Sequence, residues 1–369
     1  MQHLARIPVL LTLFALTSWT TAQELAWARA IGAEGDDVAQ SLAVDQDGNV
    51  IVVGYFEGTV DLDPGMGEEF HTSSGANDIF VQKLDNEGVF IWGWGLGGAD
   101  ADYATGVSVD ADGNIYVCGT FNGTVDFDPS AGITELVSTG GYDIFLAKYE
   151  GEGVLVWARG SGSVEYDEPK TVAVGPLGSV YLLSYFSATL DADPGTAQLP
   201  ITSAGALDIL VQRFDADGGL LWANSIGSAG TDLGLSMALD ADENIWFTGS
   251  FENTLDLDPG AAAFPLTSAG AWDIFVSKWS AGGTFMWAGR MGGSEISIRV
   301  MISLWTPWAT RWLLARSSAP AISIPGQGSS CSPPARWAPM TSSCRSWIRA
   351  VHSSGRYPWA APMPTSLTA

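Results

Sequence analysis

Apolar residues in this chain fall in short runs divided by turn chemistry. Ser41 to Val44 is a brief apolar run, and Asp45-Gln46-Asp47-Gly48-Asn49 follows it. Gly48 stands where a hairpin turn needs a positive φ. Val50 to Phe56 is β-branched and aromatic and reads as the next strand. Thr59 to Leu62 pairs briefly before Asp63-Pro64-Gly65 breaks the chain. Ile79 to Leu84 alternates apolar with polar, Asn86-Glu87-Gly88 is a second turn, and Val89 to Trp94 is the last strand. No window sustains a 3.6-residue period, so the pattern predicts an all-β chain.

The pattern then repeats. Trp27, Trp92, Trp157, Trp222 and Trp287 are each 65 residues apart. The same step relates Phe56, Phe121, Phe186 and Phe251, and it relates Asp78, Asp143, Asp208 and Asp273. It also relates Lys83, Lys148, Arg213 and Lys278. A D-x-D-P motif recurs as Asp61 and Asp63, Asp126 and Asp128, Asp191 and Asp193, and Asp256 and Asp258. Four units without an insertion or deletion follow, about 27–91, 92–156, 157–221 and 222–286. Four strands per unit predict a β-propeller of four-stranded blades over residues 23–295, incomplete as written.

The residues also resemble a known family, the secreted bacterial β-propeller repeat (SBBP, seven-bladed β-propeller repeat). The resemblance rests on "GNVIVVGYFEGTVDLDPG" with "GANDIFVQKLDNEGVFIW", and on their copies in the later units. It covers residues 24–294. It implies an extracellular propeller, often within a large surface protein, and no catalytic residues. The third unit departs from the pattern: Gly175, Leu177 and Ser179 replace the turn residues Asp, Asp and Asn.

Both ends differ from the repeats. Residues 1–22 read as a signal peptide, with Arg6, an apolar run from Ile7 to Leu16, and small residues Thr20 and Ala22 before a cut at Gln23. That run is too short to span a bilayer. Residues 296–369 hold seven Arg, six Trp and two of the three Cys, and no Asp, Glu or Lys. The genetic code offers a test of this tail. Read one base over, Trp305-Thr306 must encode Asp and Trp308-Ala309 must encode Gly, 65 residues after the turn at Asp240. Met340-Thr341 and Trp347-Ile348 are likewise forced to Asp at the seven-residue step of Asp78 and Asp85. The expectation is a fifth blade in a shifted frame, with the change between about Ser294 and Met301 and a disordered tail that does not fold.

The formal charge of −25 therefore conceals a sharper imbalance. Without the tail, residues 1–295 carry 9 basic and 41 acidic groups, a net −32. Such a surface argues against nucleic acid, whose phosphates need a basic face. It leaves calcium and neutral or basic carbohydrate or protein ligands open. Cys118 stands alone in the repeats, so disulfides do not hold the fold.

Candidate chemistry is sparse. The eight D-x-D-P carboxylates, Asp61, Asp63, Asp126, Asp128, Asp191, Asp193, Asp256 and Asp258, suit a calcium ligand set. They equally suit turns whose backbone N–H groups the Asp accepts, and the turn reading carries more weight. The D-x-D-G-N turns at Asp45 and Asp110, and the related turn at Asp240, lack the distal Glu of a calcium loop and read as hairpins. The repeated Trp, from Trp27 to Trp287, read as structural anchors between blades. The Asp78 and Lys83 classes read as a pair across blades. His71 is the one histidine between the signal and the tail, and no nucleophile or cofactor motif accompanies it. The expected role is a binding or structural scaffold at the cell surface or outside the cell, without a required cofactor. A calcium-dependent carbohydrate-binding or adhesion module and a polysaccharide-degrading enzyme are the alternatives.

Overall fold

A computed structural model describes residues 25–32 and 34–293, with the backbone of two more strands at Ile298–Leu304 and Trp312–Ser317. The signal-peptide reading of 1–22 lies outside the described residues. So does most of the segment 296–369.

Four antiparallel four-stranded sheets follow one another, each a meander. Blade 1 runs Val38–Val44, Val50–Asp61, Phe70–Leu84 and Phe90–Leu96. Blade 2 runs Tyr103–Val109, Ile115–Phe121, Asp143–Tyr149 and Leu155–Ser161. Blade 3 runs Glu168–Val174, Val180–Phe186, Asp208–Phe214 and Leu220–Ile226. Blade 4 runs Asp232–Leu239, Ile245–Phe251, Asp273–Trp279 and Phe285–Met291. The sheets are offset from the Trp-to-Trp units, so Trp92, Trp157, Trp222 and Trp287 each sit in the fourth strand of a sheet. The brief pairing expected at Thr59 to Leu62 recurs in every blade, as with Thr124–Asp126 against Glu135–Val137.

The first strands of successive blades pack on one another, which makes them the inner strands of a radial array. Each carries a bulge at the same place, between Ala39 and Ser41, Ala104 and Gly106, Pro169 and Thr171, and Gly234 and Ser236. A bulge adds local twist, which turns one sheet against the next.

The core lies between the sheets. All seven residues of Ile115–Phe121 are buried, as are all seven of Val180–Phe186. One apolar cluster joins Ile51, Val53 and Val81 of blade 1 to Val107, Val117 and Phe145 of blade 2. Another joins Cys118 and Leu146 of blade 2 to Val172 and Leu182 of blade 3. A third joins Leu183 and Val211 of blade 3 to Met237, Phe247 and Trp279 of blade 4. Cys118 is fully buried, and burial pushes its thiol up to about 12, which leaves it unreactive.

Ile298–Leu304 packs on the inner strand of blade 4 and pairs with Trp312–Ser317. It starts 65 residues after Leu233. The expectation of a tail without strands therefore does not extend to these two. The reason is local: Ile298, Val300, Ile302 and Leu304 alternate with Arg299, Met301 and Ser303, a strand pattern that the unusual composition obscured.

A chain whose core lies between blades should be sensitive at each junction. Trp157 is 7% exposed and bridges blades 2 and 3. Trp157→Ala should lower stability in urea by about 3–5 kcal/mol. Trp157→Phe keeps most of the packing and should cost about 1 kcal/mol for the lost hydrogen bond. Equal, small losses for both would show that the junction does not limit stability.

Candidate functional site

Tight hairpin turns occupy one face of the array. In the first, Asp45 Oδ1 accepts the N–H groups of Asp47 (3.0 Å) and Asn49 (2.8 Å), and Asn49 Nδ2 donates to Asp45 Oδ2 (2.9 Å). Asp110 and Asp240 hold their own turns in the same way. These carboxylates are engaged by backbone, as the hairpin reading expects. Burial opposes ionisation of Asp45, but the Asn49 bonds and the Lys83 ammonium outweigh it and hold its carboxyl below the ordinary range. Asp240 is lowered to about 2, where the Asn244 bonds and Lys278 overcome a similar burial penalty.

The same face corrects the expected pairing of the Asp78 and Lys83 classes. In strand Phe70–Leu84 Asp78 lies near the middle, opposite Phe56, and Lys83 near the end, opposite Ile51. Lys83 Nζ instead lies 3.1 Å from Asp45 Oδ2 in its own blade, and Lys278 lies 3.0 Å from Asp240. Lys83 also donates to the carbonyl of Gly151 in blade 2 (3.1 Å). The Trp92 indole donates to that same oxygen (3.2 Å). Ala216 O likewise receives Lys148 and Trp157, and Ala281 O receives Arg213 and Trp222. In blades 2, 3 and 4 one turn carbonyl thus takes both the repeated Trp and the repeated cation of the blade before it. The Trp ring also lies over the next turn's glycine: a Cβ on Gly218, at φ +77°, would come within 2.9 Å of Trp157. The Trp287 ring lies 6.2 Å from that of Trp246, tilted by 50°.

Residues 25–32 occupy the place of a fourth strand against blade 1. Trp27 Nε1 donates to Asn86 O (3.0 Å) and Arg29 Nε to Gly88 O (2.9 Å). Trp157 and Arg159 make the equivalent bonds to Ala216 O and Gly218 O. A cavity of about 270 Å³ lies beside this segment, lined by Arg29, Ile31 and Phe80 among others.

Blade 3 shows how a departure is absorbed. Gly175 stands where Asp45, Asp110 and Asp240 stand, so Arg213 has no carboxylate in its own turn. Glu243 of blade 4 reaches back instead, with Oε2 at 3.4 Å from Arg213 and 3.1 Å from the Tyr181 hydroxyl. Glu243 replaces a glycine of the other turns and keeps its positive φ of 56°. Sequence comparison within the units showed the departure at Gly175 but not the one at Glu243 that meets it.

The D-x-D-P carboxylates form turns. Asp61 Oδ1 accepts the N–H groups of Asp63 (3.0 Å) and Glu69 (2.8 Å), and Asp63 Oδ1 accepts that of Gly65 (2.7 Å). Asp126 and Asp128, Asp191 and Asp193, and Asp256 and Asp258 repeat this geometry. Among the described residues, no three His, Cys, Asp or Glu side chains are grouped to hold a metal. His71 is tied into blade 1, accepting the Gly95 N–H (3.3 Å) and lying 3.2 Å from Glu69.

The opposite face holds acidic groups that the sequence analysis passed over. Asp102, Asp167 and Asp232 share the 65-residue step and precede or open the inner strands. Each backbone N–H donates to the previous blade, Asp102 to Asn77 O (2.7 Å), Asp167 to Tyr142 O (2.9 Å) and Asp232 to Leu207 O (2.7 Å). Each carboxylate accepts a loop N–H, from Gly98, Ser163 or Ser228. Beside them stand Asp78, Asp143 and Asp208, buried, each with one oxygen bonded four residues back and the other without a partner. A Cβ on Gly97, Gly162 or Gly227 would collide with these carboxylates, so the glycines admit them to the seam. Burial, with the neighbouring acid adding repulsion, pushes Asp102 up to about 7 and Asp143 and Asp232 up to about 6. In blade 4 the Asp273 carboxylate meets Arg290 at 2.6 Å instead.

A carboxyl whose folded pKa exceeds its unfolded one adds stability below the unfolded pKa and loses it as pH rises through the folded pKa. The window here runs from about pH 4 to about pH 7. Asp143→Asn keeps an acceptor for the Thr139 N–H and adds a donor facing Asp167. It should raise stability on the order of 2 kcal/mol at pH 8, and flatten the fall in melting temperature between pH 4 and pH 7. An unchanged pH profile in this variant would exclude the seam acids as its source.

With the geometry in view, comparison with known proteins agrees with the architecture. The family model described as "Beta-propeller repeat" matches residues 96–125, from the end of blade 1 through the inner hairpin of blade 2. An uncharacterized WD repeat-containing protein of Acanthamoeba polyphaga mimivirus is 23% identical over 337 residues, covering 74% of this chain. The regulatory protein FlaEY of Caulobacter vibrioides is 29% identical over 168 residues, covering 43% of this chain. The chain spans only 24% and 17% of these relatives' lengths. The sheet order and the radial packing of inner strands show a propeller-like array, and the matched segment at residues 96–125 is a β-propeller repeat of the SBBP type.

Proposed function

We propose that this protein is an exported repeat scaffold that acts by binding, at the cell surface or outside the cell, and not by catalysis. The observation that carries the reading is the seam repeated between neighbouring blades. Trp, cation, turn carbonyl and paired acids recur there with the same partners. Side chains common to every copy are occupied in holding the array, which leaves its loops to do the recognising. The reading of residues 1–22 as a signal supports export. The −32 charge of residues 1–295 supports a partner that is neutral or cationic. Among the described residues, no helix is long and apolar enough to cross a membrane.

The turn geometry at D-x-D-P favours a scaffold that does not depend on calcium. Asp126→Ala should cost about 1–2 kcal/mol for two lost acceptor bonds. The loss should be the same in Ca²⁺ and in chelator, measured as a melting shift. A loss seen in Ca²⁺ alone would restore the adhesion-module alternative.

Export is tested by fractionating cells that produce the native protein and sequencing its N-terminus. A mature chain starting at Gln23, outside the cytoplasm and accessible to added protease, is expected. An uncut chain retained in the cytoplasm would overturn the reading.

A further inference from the structure

Residues shared by all four units explain the blade, so residues that break the repeat and still converge in space call for another explanation. Five tyrosines do this. Tyr55 and Tyr185 share one repeat position, where blades 2 and 4 have Thr120 and Ser250. Tyr103 stands where other copies have Val38, Glu168 and Leu233. Tyr142 is matched by Asn77, Leu207 and Trp272, and Tyr166 by Asp36, Ala101 and Thr231. From four repeat positions on three blades they form one ladder. Ring centroids lie 4.8 Å apart from Tyr55 to Tyr103, then 5.9 Å to Tyr142, 5.8 Å to Tyr166 and 6.3 Å to Tyr185.

The ladder lies on the face of the inter-blade loops, beside the starts of the inner strands. Tyr166 is 42% exposed, Tyr55, Tyr103 and Tyr142 are half-buried, and Tyr185 forms a buried base. One end shows what such a surface holds. Glu168 accepts the hydroxyls of Tyr166 (2.6 Å) and Tyr185, and it pairs with Lys170. The Lys170 ammonium stands 5.4 Å over the Tyr185 ring. Ring and carboxylate together therefore already accommodate an ammonium of the chain itself. Along the rest of the ladder, exposed Asp100 and Glu165 sit in the adjoining loops. Among the described residues no cation stacks on Tyr55, Tyr103 or Tyr142.

We infer that this tyrosine ladder is a recognition surface for a cationic peptide segment, whose Lys or Arg side chains stack on Tyr103, Tyr142 and Tyr166 with Asp100 and Glu165 as counter-charges. Cation–π attraction favours guanidinium and ammonium groups over such faces. Tyrosines also supply large contact area at low entropic cost. The strongly acidic repeats steer cations toward it and repel polyanions. The inference deepens the scaffold reading and rests on it.

The repeat supplies its own controls, because each tyrosine can be exchanged for the residue that another blade tolerates. The mature chain would be titrated with fluorescent oligoarginine, and separately with neutral cello-oligosaccharides. Tyr142→Leu and Tyr166→Thr together should weaken oligoarginine binding about tenfold, with the melting temperature unchanged. Glu165→Gln should weaken it further and reduce its salt dependence. If the swaps destabilise the chain, Tyr142→Phe and Tyr166→Phe should still bind, since the ring faces remain. Absence of oligoarginine binding, equal binding by the swapped variants, or binding of the neutral sugar alone would each overturn the inference. An exported chain that fails this test would leave the scaffold reading intact, whereas a cytoplasmic one would end that reading whatever the ladder binds.

Discussion

A sheet whose two faces are both apolar cannot be stable alone, and everything else in this chain follows from that. Strands Ile115–Phe121 and Val180–Phe186 are buried along their whole length. The sheets of blades 2 and 3 therefore lie between two others, and the hydrophobic clusters are shared by neighbours. The repeated bulge of the inner strand supplies the twist that lets the sheets fan around an axis. The seam is thus the unit of stability, more than the blade.

Hydrogen bonds and charges at the seam divide by face. On the turn face, cations and indoles of one blade satisfy a carbonyl of the next, and carboxylates close their own turns. These groups are matched, and Asp45 and Asp240 titrate low. On the loop face, two acids per seam are buried together with few compensating donors, and they titrate high. The first face rigidifies the array. The second stores an electrostatic cost that the apolar seam must offset.

Much of this was legible in the chain, because a strict repeat turns identity into geometry. The Trp step, the hairpin turns and the D-x-D-P breaks gave four strands per blade and their order. What stayed hidden depended on distance in space. The Lys83 class was assigned to the Asp78 class of a neighbouring blade, yet five residues along a strand put the two classes at different levels of the blade. The Asp102 class shares the same step but lies among 41 acidic residues, outside any strand pattern. Its importance comes from burial, and a single sequence does not show burial for a charged residue. The exchange of Gly175 and Glu243 was invisible for a related reason: the compensating residue sits one blade away.

That exchange and the tyrosine ladder mark two kinds of departure from a repeat. Gly175 removes a carboxylate and Glu243 restores one at nearly the same point, held by Arg213, Tyr181 and the Leu177 N–H. The sum of charge and volume at that seam is conserved, so the departure is structural. The tyrosines conserve nothing in this sense. They replace small, acidic and aliphatic residues alike, and where Tyr166 does so it brings a ring out to solvent. Tyr185 is part of the packed strand, but the rings of Tyr55, Tyr103, Tyr142 and Tyr166 stand partly exposed and meet one another along the ladder. In a fold built from copies, selection for folding acts on every unit equally. Asymmetry that gathers on one face therefore has to be sustained by something outside the fold, and a ligand that touches several blades at once meets that condition.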